Sequence, residues 1–145
     1  MTTAKNLFSE EQKEEITQAI RHAEHDCSGE IRVHIENSCK GDVLDRAAYI
    51  FKKFGIHNKE QRNNVLFYVA VKHRKFAILG DAGINAVVPA DFWDDIKEVL
   101  LTNFKEGKYT EGLCKGIEMA GEHLKKNFPH HKEDTNEQPD DLSFG

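Results

Sequence analysis

The sequence predicts a single α/β domain, a three-layer α/β/α sandwich in which helices flank a small mixed β-sheet. Seven consecutive apolar residues at 65–71 are typical of a strand buried on both faces. A polar connection at 72–75 leads to a second apolar run at 76–79, which is typical of a hairpin. Residues 30–36 alternate polar and apolar with a period of two, which indicates a strand with one buried face near a sheet edge.

The bulk composition fits a soluble globular protein. The chain has 145 residues, 39% hydrophobic and 31% charged, which suits one domain able to bury about two-thirds of its unfolded surface. A formal charge of −5 argues against binding to nucleic acid. Cys27, Cys39 and Cys114 are odd in number and widely spaced, so a disulfide framework is not expected. We predict a cytoplasmic monomer that binds no membrane, since neither an apolar segment of bilayer length nor a signal region is present.

Two helices and one strand precede the central hairpin. Ser9 and Gln12 form a capping-box pattern, which predicts a helix that ends near Asp26. After the strand at 30–36, Asp42 can cap a second helix that Gly55 ends. We expect its inward face to consist of Leu44, Ala47, Ala48, Phe51 and Phe54. Strand, helix and strand then form a βαβ unit, so the first two strands are predicted to be parallel.

Two helices and a tail follow the hairpin. Pro89 begins a third helix, and Thr110 is expected to cap a fourth that ends before Pro129. Residues 1–129 therefore form the domain. Residues 130–145 form an acidic tail that we expect to be flexible, with Leu142 and Phe144 as its only plausible anchors.

The open end of the hairpin is the best candidate for a site. Asn63 and Asn64 precede the first strand of the hairpin, and Gly80 and Asp81 end the second, so these residues are expected to meet. Parallel pairing adds Glu30 at the same edge. The third helix supplies three further carboxylates, from Asp91, Asp94 and Asp95.

Oxygen ligands of this kind suit Ca²⁺ or Mg²⁺. The alternative is that these residues only cap helices and form turns. A rival cluster is expected at the opposite edge, where the simpler interpretation is again a capped helix and a solvated turn. Its members are Asn37, Ser38, Asp42, Asp45, Arg46 and His73.

The order of several motifs resembles a known family. The motifs are SGEIRVHIE, the hairpin RNNVLFYVAVKHRKFAILGDAGI, then FWDDI, FKEGKYTEGLCKGI and a closing NEQPDDLSFG. Together they resemble a TPM domain, in its compact soluble bacterial form. Asn64 stands where relatives often have glycine, and no hydrophobic tail anchor follows, which argues against a membrane-tethered role.

The resemblance implies an α/β/α sandwich with a divalent-cation site, usually described as calcium. For some plant relatives it also implies an acid phosphatase activity linked to photosystem repair, and for others a role in assembly. We expect this chain to bind Ca²⁺ or Mg²⁺ in a binding or assembly role. The alternative is a metal-dependent phosphatase acting on a phosphorylated small molecule or protein, with Asp81 positioning a metal-activated water and Arg62 neutralising the phosphate.

Overall fold

The structure is a computed structural model that describes residues 6–25, 27, 29–54, 64–89, 91–128 and 142–145. Helices and strands alternate as far as the second strand, and three helices follow the hairpin. In order, the elements are α1 (Glu10–Glu24), β1 (Ile31–Glu36), α2 (Val43–Lys53), β2 (Val65–Ala70), β3 (Lys75–Gly80), α3 (Ala82–Asn85), α4 (Phe92–Lys105), α5 (Tyr109–Asn127) and β4 (Leu142–Phe144).

One mixed sheet joins the strands in the order β3-β2-β1-β4. β1 runs parallel to β2 with Ile31 beside Val65, and β2 runs antiparallel to β3 with Val65 beside Gly80. The predicted βαβ unit and hairpin are therefore confirmed. The prediction that β1 has one buried face near the sheet edge is wrong, because β4 pairs with its outer side and all six of its residues are buried.

Helices cover both faces of the sheet, which confirms the three-layer sandwich. Residues of α1, α4 and α5 pack on the face formed by Ile31, Val33 and Ile35, together with alternate residues of β2. On the other face, Ala47 and Ile50 of α2 form a smaller core with β2 and β3. None of the described helices is both long enough and apolar enough to cross a membrane.

The predicted inner face of α2 is partly wrong. Leu44 is 50% exposed, and Ala48 is also exposed, while Ala47 and Ile50 are buried. The helix is rotated so that Arg46 reaches Glu36 of β1, which turns Leu44 toward solvent.

The predicted cap of the last helix is wrong. Thr110 is buried inside α5, which begins at Tyr109, so it does not cap that helix. Of the acidic tail, residues 130–141 lie outside the described residues. Leu142 and Phe144 both pack against the core, as expected of anchors.

The contact between α1 and α5 yields a stability prediction. A Cβ atom at Gly121 of α5 would lie 2.6 Å from Cβ and 3.0 Å from Cα of Ala23 in α1. Gly121→Ala should lower the free energy of unfolding by about 1–2 kcal/mol, because the cost of overpacking exceeds the gain in helix propensity. Urea denaturation measures this change.

Gly41→Ala is the matched control, because nothing lies within 4 Å of the added Cβ at Gly41. Equal stability of the two variants would contradict the prediction, because it would show that α1 and α5 adjust to the methyl group added at position 121.

Candidate functional site

The starts of β1 and β2 and the end of β3 meet at a corner formed by Glu30, Asn64 and Asp81, here called the Asn64–Asp81 corner. The Asn64 side chain is deeply buried, and the residue is only 1% exposed. Its Oδ1 accepts a hydrogen bond from the backbone N–H of Glu30 at 3.0 Å. The backbone N–H of Asp81 donates to the carbonyl oxygen of Asn64 at 2.8 Å. Asn64 therefore links the two neighbouring strands through both its side chain and its backbone.

Asp81 caps the short helix that follows β3. The residue is 2% exposed, and its Oδ1 accepts a hydrogen bond from the backbone N–H of Ala82 at 2.8 Å. This cap satisfies a backbone donor at the start of α3. The carboxyl group is thus positioned at the corner by a local hydrogen bond, which agrees with the alternative that these residues cap helices.

Gly80 allows the beginning of α4 to approach this corner. A Cβ atom there would lie 2.3 Å from Cζ2 of Trp93, so a side chain would displace the indole ring. The ring is also held by a hydrogen bond of 2.9 Å from its Nε1 to Oδ1 of Asn85. Glycine at position 80 therefore allows the Trp93 ring of α4 to pack against the end of β3.

The remaining predicted ligands are placed differently. Asp91, Asp94 and Asp95 are exposed, and Asp91 makes no side-chain cap hydrogen bond. Burial of Phe92 and Ile96 fixes the rotation of α4 and leaves these carboxylates facing solvent. Asn63 and Arg62 lie outside the described residues. Within the described part of the chain, no three His, Cys, Asp or Glu side chains are grouped to hold a metal ion.

The opposite edge contains a buried polar network centred on Glu36. The guanidinium of Arg46 donates to both carboxylate oxygens of Glu36, at 2.9 Å from Nε and 2.5 Å from the terminal nitrogen. The hydroxyl of Tyr68 donates to Oε1 of Glu36 at 2.5 Å. His34 places Nε2 3.6 Å from the other carboxylate oxygen, and its Nδ1 lies 2.7 Å from Oγ of Ser143 in β4. We call these five residues the Glu36 network.

The network alters the acid–base properties of its members. Hydrogen bonds from Arg46 lower the pKa of Glu36 to about 2, although burial acts in the opposite direction. Burial raises the pKa of Tyr68 well above its usual value, and the hydrogen bond to Glu36 adds to this effect. Burial lowers the pKa of His34, partly offset by the neighbouring carboxylate. The pair of Glu36 and Arg46 is therefore charged at neutral pH.

The rival residues at this edge have structural roles. Asp42 caps α2 by accepting hydrogen bonds from the N–H groups of Leu44 and Asp45. Nδ1 of His73 accepts from the N–H of Cys39 at 3.0 Å. Nζ of Lys75 donates to the carbonyl oxygen of Gly41 at 3.0 Å. These contacts fold the loop after β1.

His34, Glu36 and Tyr68 were not among the sequence candidates. The available signal is the alternation of polar and apolar residues at 30–36, which predicts a strand with only one buried face. That interpretation fails because β4 and α2 cover this side of β1.

Three comparisons place the chain among known proteins. The model of one protein family, described as the TPM domain, matches residues 1–123. The NMR structure of the BA42 protein from the psychrophilic bacterium Bizionia argentinensis is 43% identical, with a TM-score of 0.90 and all of both chains covered. No curated protein matches the chain.

More distant structures have the same fold. The N-terminal domain of a protein from P. gingivalis is 21% identical with a TM-score of 0.72, covering 88% of this chain and 84% of that one. The N-terminal domain of the cg2496 protein from Corynebacterium glutamicum is 14% identical with a TM-score of 0.66, covering 90% and 82%.

The lowered pKa of Glu36 predicts a loss of stability in acid. A carboxylate with a depressed pKa in the folded state stabilises the fold above its unfolded pKa, and this contribution disappears as the pH falls through the folded pKa. Glu36→Gln should therefore be less stable than the wild type by roughly 2–3 kcal/mol at pH 7, and the two should converge between pH 4.5 and pH 2. Chemical denaturation over this pH range measures the difference. A difference that does not change with pH, or one matched by the exposed control Glu98→Gln, would contradict the assignment.

Proposed function

The chain belongs to the TPM domain family, and we propose that it binds a divalent cation, Ca²⁺ or Mg²⁺, at the Asn64–Asp81 corner in a binding or assembly role. The observation that carries this proposal is the burial of the Asp81 carboxyl group beside Asn64. Carboxylate and amide oxygens held side by side at the ends of two strands are hard donors of the kind that Ca²⁺ and Mg²⁺ prefer.

The chemistry of the corner favours oxygen ligation. Oδ1 of Asp81 already accepts from Ala82, and a carboxylate has further lone pairs for a cation. Glu30 and the amide oxygens of the asparagine pair at 63–64 are the additional ligands that we propose. The proposed set is completed by the carboxylates at the start of α4, those of Asp91, Asp94 and Asp95. These side chains are exposed, so binding requires a local movement of the first turn of α4 toward the corner.

Ca²⁺ suits this set better than Mg²⁺. Ca²⁺ accepts six to eight oxygen ligands in irregular geometry, whereas Mg²⁺ requires a near-ideal octahedron. Seven side chains are proposed as ligands, from separate strands and a helix start, and this number exceeds the six positions of an octahedron. We therefore expect tighter binding of Ca²⁺.

Titration with each ion tests the proposal. Backbone amide shifts should concentrate at residues 29–30, 64, 80–85 and 91–95. Asp81→Asn should weaken Ca²⁺ binding at least about tenfold, because it removes the buried charge while keeping an oxygen for the N–H of Ala82. Thermal melting without added ion checks that this variant folds.

Asp45→Asn is the control at the opposite edge and should bind Ca²⁺ normally. Shifts centred on residues 38–46, or unchanged affinity in Asp81→Asn, would exclude the corner as the site. Hydrolysis of p-nitrophenyl phosphate that requires both the ion and Asp81 would replace the binding role with catalysis.

A further inference from the structure

We propose that a second site, at the turn end of the β2–β3 hairpin, binds a small molecule that carries an aromatic ring and a negative charge. The end of this hairpin and the junction of α4 with α5 enclose a cleft of about 340 Å³. This volume lies in the range of cavities that hold small ligands. We call it the hairpin cleft, and its important members are Arg74, Phe76, Leu101, Phe104, Lys105 and Tyr109.

Aromatic side chains form the inner wall of the hairpin cleft. The rings of Phe76 and Phe104 meet edge to face with centroids 5.4 Å apart, and those of Phe104 and Tyr109 lie 4.9 Å apart. All three rings are only partly buried, and Leu101 beside them is 40% exposed. Aromatic rings pack well on such a surface, either offset or edge to face.

The sign of the charge around the hairpin cleft is opposite to that of the whole chain. The protein carries a formal charge of −5, yet the described residues that line the cleft include Arg74, Lys75 and Lys105 and no acidic residue. Nζ of Lys75 is held by the carbonyl oxygens of Cys39 and Gly41. Arg74 and Lys105, both exposed, are therefore the groups that would meet an anion.

The backbone at Arg74 is an independent reason to assign a role to this side chain. Arg74 has a φ of 52°, the only positive φ of a non-glycine residue in the described chain. Glycine or asparagine adopts this left-handed conformation at a turn with less strain than arginine. The sequence nevertheless has an arginine there, and this arginine lines the cleft.

The hairpin cleft is separate from the Asn64–Asp81 corner. The corner lies where β2 begins and β3 ends, and the cleft lies where β2 ends and β3 begins. Six paired residues of strand separate them, a distance of roughly 20 Å. Experiments on the cleft can be carried out in a chelator, so the two proposals fail independently.

A matched pair of probes tests the proposal: 2-naphthalenesulfonate, which is anionic, and 2-naphthalenesulfonamide, which is neutral. In the full chain with a chelator, the sulfonate should bind at least about threefold more tightly, since only it pairs with Arg74 and Lys105. Amide shifts should concentrate at residues 69–76 and 101–109. The preference for the sulfonate should decrease as the salt concentration rises.

Variants separate binding from stability. Arg74→Gly should weaken sulfonate binding about threefold or more while raising the melting temperature, because glycine relieves the left-handed backbone. Lys105→Gln should weaken binding similarly, whereas Lys97→Gln, an exposed change on the same helix outside the cleft, should not. Leu101→Glu should abolish sulfonate binding, and Leu44→Glu, at an exposed leucine on α2, should leave it unchanged.

Equal affinity for the two probes, shifts centred elsewhere, or equal losses in Lys105→Gln and Lys97→Gln would overturn the proposal. Weaker binding by Arg74→Gly with a lower melting temperature would also overturn the role assigned to the strained backbone.

Discussion

β1 is bordered by strands on both edges and covered by helices on both faces, and this burial constrains the rest of the structure. The larger core contains three apolar residues of β1, namely Ile31, Val33 and Ile35. The residues that alternate with them are Arg32, His34 and Glu36, and none of the three is more than 9% exposed. Burying such groups is costly unless they are paired. α2 supplies Arg46 to Glu36, and β4 supplies Ser143 to His34.

The polar face of β1 also explains how distant parts of the chain are held. Arg32 stacks on Phe54 with its guanidinium carbon 3.8 Å from the ring centroid, which fixes the end of α2. A Cβ atom at Gly145 would lie 2.9 Å from Nε2 of His34, so the residue after β4 needs to be small. The helix, the central strand and the C-terminal strand are thus joined through one row of side chains. The opposite end of the same strand leads to the Asn64–Asp81 corner, where Glu30 donates its N–H to Asn64.

The features that could be predicted from sequence are those that local interactions determine. Ser9 and Gln12 form the expected capping box, Asp42 caps α2, and the hairpin follows from its two apolar runs. The meeting of Asn64 with Asp81 also followed from strand pairing alone. The central position of β1 could not be predicted, because it depends on β4, about a hundred residues later in the chain. The exposure of Asp94 and Asp95 depends on which side of α4 packs against the core. The sequence alone does not give the position of that side relative to the corner.

Amide hydrogen exchange tests whether β4 completes the sheet and buries the polar side chains of β1. A chain that ends at residue 141 would lack β4 and also Gly145, whose N–H donates to the carbonyl oxygen of Ile35 at 2.9 Å. We expect the amides of β1 to lose protection by about tenfold or more in this shortened chain, since exchange reports the free energy of local opening. The amides of β3, at the far edge of the sheet, should change less. Unchanged protection in β1 would contradict the account.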